Sequence, residues 1–288
     1  MRFSEDRIEK LTCSDGKQRS IHIWEPEKPQ MVFLIVHGLM DHCGNYILPA
    51  LYFRGHGIAS VAYAQQGHDH KGPDHPGKVS ISRFEALTED LELMTTWVKK
   101  QYPGNPVFIL AHSMGCLVAT HFGISRLKPD PVVRGFILSS PYYVNAVKVP
   151  RIMITLVGFL ALLVPGMIIP TEDFKAVVTH DKEVCDRQRK DEEDGYVVSS
   201  VTTRSGHELI KAQRWIPGNI SRWKHPVLFI LAGDDRIADN DAANRMIGEI
   251  EPDLVTVQHY PGNFHENFNE LNRNKIFARI LEWVEPKK

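Results

Sequence analysis

A chain of 288 residues is long for one small domain and short for two full ones, so one large domain carrying an insertion is expected. Its 34 basic and 35 acidic side chains give a net charge of −1, which leaves no electrostatic footprint for nucleic acid or another polyanion. At 43% hydrophobic and 24% charged, the composition excludes a disordered or fibrous chain.

The first element follows a charged N-terminus, Met-Arg-Phe-Ser-Glu-Asp-Arg, which does not read as a signal peptide. The cysteines Cys13, Cys43, Cys116 and Cys185 form no CxxC pair, so reduced thiols in the cytoplasm are expected. Residues 7 to 12, the turn Ser14-Asp15-Gly16-Lys17 and the alternating stretch Ser20 to Trp24 predict a hairpin entering a sheet. Met31 to Val36 is a continuous apolar run, as in a strand buried on both faces, and it ends at His37-Gly38. A short helix over 45–54 leads to a second such strand, Ile58 to Tyr63.

Ser82 with Glu85 predicts a capping box at the start of a helix, with Phe84, Leu87, Leu91, Met94 and Val98 on one face. Pro106 to Ala111 is the next buried strand and runs without a spacer into His112-Ser113-Met114-Gly115 and a small-residue helix through Arg126. Val132 to Leu138, Val227 to Ala232 and Val255 to His259 are further strands. Ile276, Ile280, Leu281 and Val284 mark a final amphipathic helix. Strands alternating with helices predict a mainly parallel central sheet with helices on both faces. The interval from Tyr142 to Lys224 breaks this rhythm. It predicts a core of 1–141 and 225–288 and a cap insertion over 142–224.

Ala111-His112-Ser113-Met114-Gly115 fits a nucleophile elbow, in which a strained strand-to-helix turn lifts a serine above the sheet edge and its neighbours two away must be small. A serine needs a base, and in this architecture an acid and then a histidine follow on later strand ends. The loop after Val227 to Ala232 holds Asp234 and Asp235, and the loop after Val255 to His259 holds His265. Asp235 is favoured as the acid that orients His265, with Asp234 as its rival. The oxyanion needs two N–H donors, expected from Met114 and from Leu39, whose amide follows Gly38. His37 reads as a second catalytic group or as a buried brace for that loop, and the brace is favoured.

His37-Gly38, Ala111 to Gly115, Asp235-Arg236-Ile237 and Gly262-x-x-His265-Glu266, in this order, resemble the α/β-hydrolase superfamily, and within it the monoacylglycerol lipase and lysophospholipase group. The resemblance spans about residues 20 to 285. It implies the α/β-hydrolase fold, a helical cap, and a serine hydrolase that cleaves carboxylic esters through an acyl-enzyme intermediate. The segment His37 to Tyr46 is similar to His-Gly-x-x-Glu-His-x-x-Arg-Tyr, with Asp41 and Asn45 departing from it. Ala64-Gln65-Gln66-Gly67-His68 stands where the group has Asp-x-Arg-Gly-His. The implied substrate is a monoacylglycerol or lysophospholipid, with no cofactor and no metal. A short-chain esterase, an aminopeptidase-like enzyme and a noncatalytic lipid-binding relative are the alternatives.

Twenty consecutive uncharged residues, Ile152 to Thr171, match the length of a membrane span. Pro165-Gly166 and Pro170 interrupt them, and a span here would put Ser113 and His265 on opposite sides of a bilayer. A cap helix is expected instead, with Ile152, Leu156, Phe159, Leu160 and Leu163 lining an acyl site and touching the membrane interface peripherally. A core helix is the plainer alternative. Among the fourteen histidines, His68-Asp69-His70 with His75 matches no zinc spacing and reads as a solvated loop. Glu192-Glu193-Asp194 could hold a substrate amine, against the ordinary reading of a solvated cap loop. No glycine-rich phosphate cradle is present.

Overall fold

The computed structural model describes residues 2–68, 77–128, 130–169 and 177–288. The apolar runs become strands of one sheet. β1 (Arg7–Thr12) and β2 (Gln18–Trp24) form the antiparallel hairpin, and β2 pairs antiparallel with β4 (Ile58–Tyr63). β3 (Met31–Val36), β4, β5 (Val107–His112), β6 (Val133–Ser139), β9 (Val227–Ala232) and β10 (Val255–Tyr260) are mutually parallel. The eight strands lie in the order β1-β2-β4-β3-β5-β6-β9-β10.

Strand alternation divides the interior into two cores. On β3, Val32, Leu34 and Val36 face one way, against α2 (Phe84–Gln101) and α3 (Met114–Ser125). Met31, Phe33 and Ile35 face the other, against α1 (Ile47–Arg54) and α8 (Arg273–Val284). Covering both faces explains why β3, β4, β5 and β9 are buried at every position. α7 (Asn240–Ile247) packs Ala243, Met246 and Ile247 on the α2–α3 side.

The interval 142–224 contributes no described strand to this sheet. It holds α4 (Arg151–Leu163), α5 (Lys182–Glu193) and α6 (Thr203–Trp215), with β7 (Ile168–Ile169) pairing antiparallel with β8 (Val201–Thr202). Among the described residues, no helix is long and apolar enough to cross a membrane. α4 stops before Pro165-Gly166, and Pro170 and Thr171 of the uncharged run lie outside the described residues. The core-helix alternative is overturned: α4 buries Ala161 alone and leaves Ile152 at 78% and Leu162 at 76% exposure. Its inner side meets α6, where a Cβ on Gly158 would sit 3.3 Å from His207 Nδ1.

The capping box at Ser82 is also corrected. α2 begins at Phe84, and no local side chain caps it. The Phe84 amide donates instead to Glu208 Oε2 of α6 at 3.0 Å, while Ser82 turns to Gln66. A carboxylate from another helix meets the same exposed amide and dipole that a local cap would have met.

Candidate active site

Ser113 is the single residue between β5 and α3. Its backbone, at φ 53° and ψ −119°, lies in the left-handed region that L side chains rarely occupy. Three hydrogen bonds hold it there: Ser113 N to Ser139 O at 3.0 Å, Cys116 N to Ser113 O at 3.0 Å, and Tyr142 N to Ser113 O at 3.3 Å. The turn also forces α3 against β3. A Cβ on Gly115 would lie 2.1 Å from the carbonyl oxygen of Val36.

Asp235 follows β9. Its Oδ1 accepts the amides of Ile237 and Ala238, each at 2.9 Å, and its Oδ2 meets His265 Nδ1 at 2.8 Å. Burial raises the Asp235 carboxyl, but His265 and the two amides outweigh it and hold the pKa below the ordinary value. An ionised Asp235 places the imidazole proton on Nδ1 and leaves Nε2 as an acceptor. The rival Asp234 is exposed and pairs with Arg236 at 3.3 Å. Ser140 Oγ donates to the His265 carbonyl at 2.6 Å, and Glu270 Oε1 accepts the Phe264 amide at 2.9 Å, so the histidine loop is tied down on two sides.

Among the described residues, Ser113 Oγ makes no hydrogen bond to His265. Contacts of this kind are often long before a substrate binds and tighten in the reactive complex. The neighbouring His112 ring packs 4.8 Å from that of His265. Burial, and then the nearby His265, hold the His112 pKa down to about 3, so it adds no competing charge.

The loop after β3 is braced as anticipated for His37. Its Nδ1 donates to Gly38 O at 2.8 Å and its Nε2 accepts Gln65 N at 3.0 Å. Asp41 accepts the Gly38 and His42 amides and the Tyr46 hydroxyl, at 3.2, 2.7 and 3.0 Å. Met40, at φ 56°, donates its amide to His68 Nε2 at 3.1 Å. Among the described residues, no protein acceptor takes the Leu39 or Met114 amide. The departure at Gln66 is structural as well, since Gln66 bridges Ser82 and Asp15, and the adjoining Gln65 Nε2 donates to His37 O at 2.6 Å.

The remaining candidates separate from this cluster. Asp69, His70 and His75 lie outside the described residues, and His68 serves the Met40 loop. Among the described residues, no group of three His, Cys, Asp or Glu side chains is placed to hold a metal. Of the Glu192-Glu193-Asp194 cluster, Asp194 is taken by the chain's own Arg2 at 2.5 Å and Lys190 at 3.3 Å. Ile152, Leu156, Phe159 and Leu163 are exposed on α4, and Leu160 is half-buried. Sequence reasoning missed Ser140 and Glu270, and it missed the α5 residues that reach the histidine loop. Such contacts depend on tertiary approach, and no local pattern announces them.

A family model described as "Serine aminopeptidase, S33" matches residues 27–272. A Bacillus subtilis phospholipase is 26% identical over 88% of this chain and 95% of its own length. Mouse monoglyceride lipase is 23% identical over 95% of this chain and 89% of its own. A Dictyostelium discoideum abhydrolase domain-containing protein is 24% identical over 96% of this chain, which spans just 29% of that longer relative. Among solved structures, a soluble variant of the Saccharomyces cerevisiae monoglyceride lipase superposes with a TM-score of 0.83. It is 18% identical and covers 99% of this chain and 96% of its own. A family match running from just before β3 to the start of α8, over a sheet of this order, places the chain in the serine aminopeptidase S33 family of α/β-hydrolases.

Proposed function

We propose that the protein is a serine hydrolase of carboxylic esters, with a monoacylglycerol or lysophospholipid as substrate. The observation that carries this reading is the 2.8 Å Asp235–His265 pair, set on the same sheet edge as the strained Ser113 turn. Ser113 Oγ attacks the ester carbonyl as His265 Nε2 takes its proton. The Leu39 and Met114 amides receive the oxyanion. His265 then protonates the departing alcohol, and water activated by the same nitrogen releases the acid. These steps use groups of the chain and water alone.

In this reading residues 1–141 and 225–288 form the catalytic core and 142–224 covers the site. The exposed apolar face of α4 suits a lipid surface, so the enzyme would meet substrate at a membrane without spanning it. Both the monoglyceride lipase and the phospholipase among its relatives support a lipid ester over a peptide.

A panel of monoacylglycerols, lysophospholipids, p-nitrophenyl esters of increasing chain length and aminoacyl amides tests this. The long-chain lipid esters should show the highest kcat/KM, and all turnover should vanish in Ser113→Ala. A preference for aminoacyl amides would move the protein to the peptidases, and a preference for acetyl over long-chain esters would make it a short-chain esterase.

A further inference from the structure

α5 lies in the interval that covers the site, yet it reaches the loops that carry the chemistry. Arg187 Nη2 donates to Asn45 Oδ1 at 3.0 Å and to Asn269 Oδ1 at 3.2 Å. The same two amides turn their NH2 groups to Glu266, the residue after His265: Asn269 Nδ2 meets Glu266 Oε2 at 2.7 Å and Asn45 Nδ2 at 3.4 Å. Gln188, also on α5, donates to that oxygen at 2.7 Å. Each asparagine thus accepts from a cation at one end and donates to a carboxylate at the other, an alignment of dipoles that strengthens both bonds.

The arrangement answers an electrostatic problem. Burial, and then the charge of Asp41, push the Glu266 carboxyl above its ordinary range, and the hydrogen bonds from Asn269 and Gln188 oppose that rise. Among the described residues, no carboxylate comes within 4.0 Å of the Arg187 guanidinium. Its charge acts on Glu266 through space, and its hydrogen bonds reach that residue through Asn45 and Asn269.

We propose that Arg187 is a positioning residue of the hydrolase site, fixing the His265 loop through the Asn45–Asn269–Glu266 relay and making α5 part of the catalytic frame. The frame is fastened elsewhere too. Glu266 N donates to Val178 O at 2.8 Å just before α5, Arg273 holds Asp181 at 2.6 Å, and Arg2 holds Asp191 at 2.7 Å. The catalytic part of this inference rests on the ester-hydrolase reading.

The test compares full-length wild type, Arg187→Gln and the double variant Asn45→Arg/Arg187→Gln. The double variant returns a cation to Glu266 directly. With p-nitrophenyl butyrate, Arg187→Gln should lower kcat about 10-fold at unchanged KM, since small displacements of catalytic groups slow reaction steeply. The double variant should recover most of that loss. Amide hydrogen exchange should rise across 263–270 in Arg187→Gln and return in the double variant, whatever the substrate. Unchanged exchange in Arg187→Gln, or full kcat alongside a lower melting temperature, would overturn the proposal. If wild type turns over no ester while the exchange pattern appears as expected, the ester-hydrolase reading fails and the relay stands.

Discussion

Replacing Gly115 by Ala probes the link between the serine turn and the loop after β3, the proposed source of an oxyanion donor. The new Cβ would meet Val36 O at 2.1 Å, and Val36 C and His37 O at 2.8 Å, all of them backbone atoms of β3 or its end. No side chain can swing aside, so α3 must withdraw from β3 by on the order of 1 Å before an ordinary contact of about 3.5 Å is approached. That movement separates Ser113 and Met114, which ride on α3, from Leu39, which rides on β3. A displacement of about 1 Å costs roughly 100-fold in rate, and overpacking costs about 1–3 kcal/mol of stability. Gly123→Ala on the same helix supplies the control, because its Cβ would press on the Trp223 ring at 2.6 Å, away from the serine. Steady-state kinetics on a soluble ester and urea titration should show both variants destabilised, with kcat/KM collapsing in Gly115→Ala alone. Activity in Gly115→Ala within about threefold of Gly123→Ala would show that the contact with Val36 does not position Ser113.

Asp235→Asn should lower kcat by roughly 10³- to 10⁴-fold by spoiling the imidazole tautomer, while Asp234→Asn stays within a few-fold of wild type; ester kinetics on both decide the assignment. Burial chiefly holds His112 to a pKa of about 3 and His121 to about 4, against a reference of 6.5. The unfolded chain therefore takes up protons first. The stability these neutral histidines confer is full above about pH 6.5 and drains as pH falls toward about 3 to 4, by on the order of 2 kcal/mol each at pH 5. His121→Asn should flatten the pH 5 to 7.5 dependence of the urea midpoint, and an unchanged slope would contradict the assignment. On α4, Met153→Glu/Leu162→Glu should reduce liposome flotation about tenfold or more, since burying such side chains is worth about 1.5–3 kcal/mol each, while turnover of a soluble short ester persists. Undiminished flotation would remove α4 from the lipid contact.

The strands were legible because a face-to-face covered sheet demands unbroken apolar runs, as at Met31 to Val36 and Val227 to Ala232. The Ser113 turn was legible because its geometry restricts residues on both sides, and the Gly115 contact with Val36 is that restriction in atomic form. His265 and Asp235 followed from their places after β10 and β9. What escaped was carried by contacts distant in sequence. Glu208 caps α2 from α6, a role that Ser82 and Glu85 would have filled locally. Arg187 reaches Asn45 across 142 positions, and the departure at Asn45 was visible with no sign of what would fill it. The uncharged run broke at Pro165-Gly166 as anticipated, but hydrophobicity alone did not show that most of α4 faces outward.

Every proposed step depends on Ser113 acting as a nucleophile activated by His265. Intact-protein mass spectrometry after exposure to a fluorophosphonate, followed by peptide mapping, tests it most directly. One adduct is expected on Ser113, absent in Ser113→Ala and slowed by several orders of magnitude in His265→Asn. No adduct on active, folded protein, or an adduct on another residue with Ser113 unmodified, would contradict it.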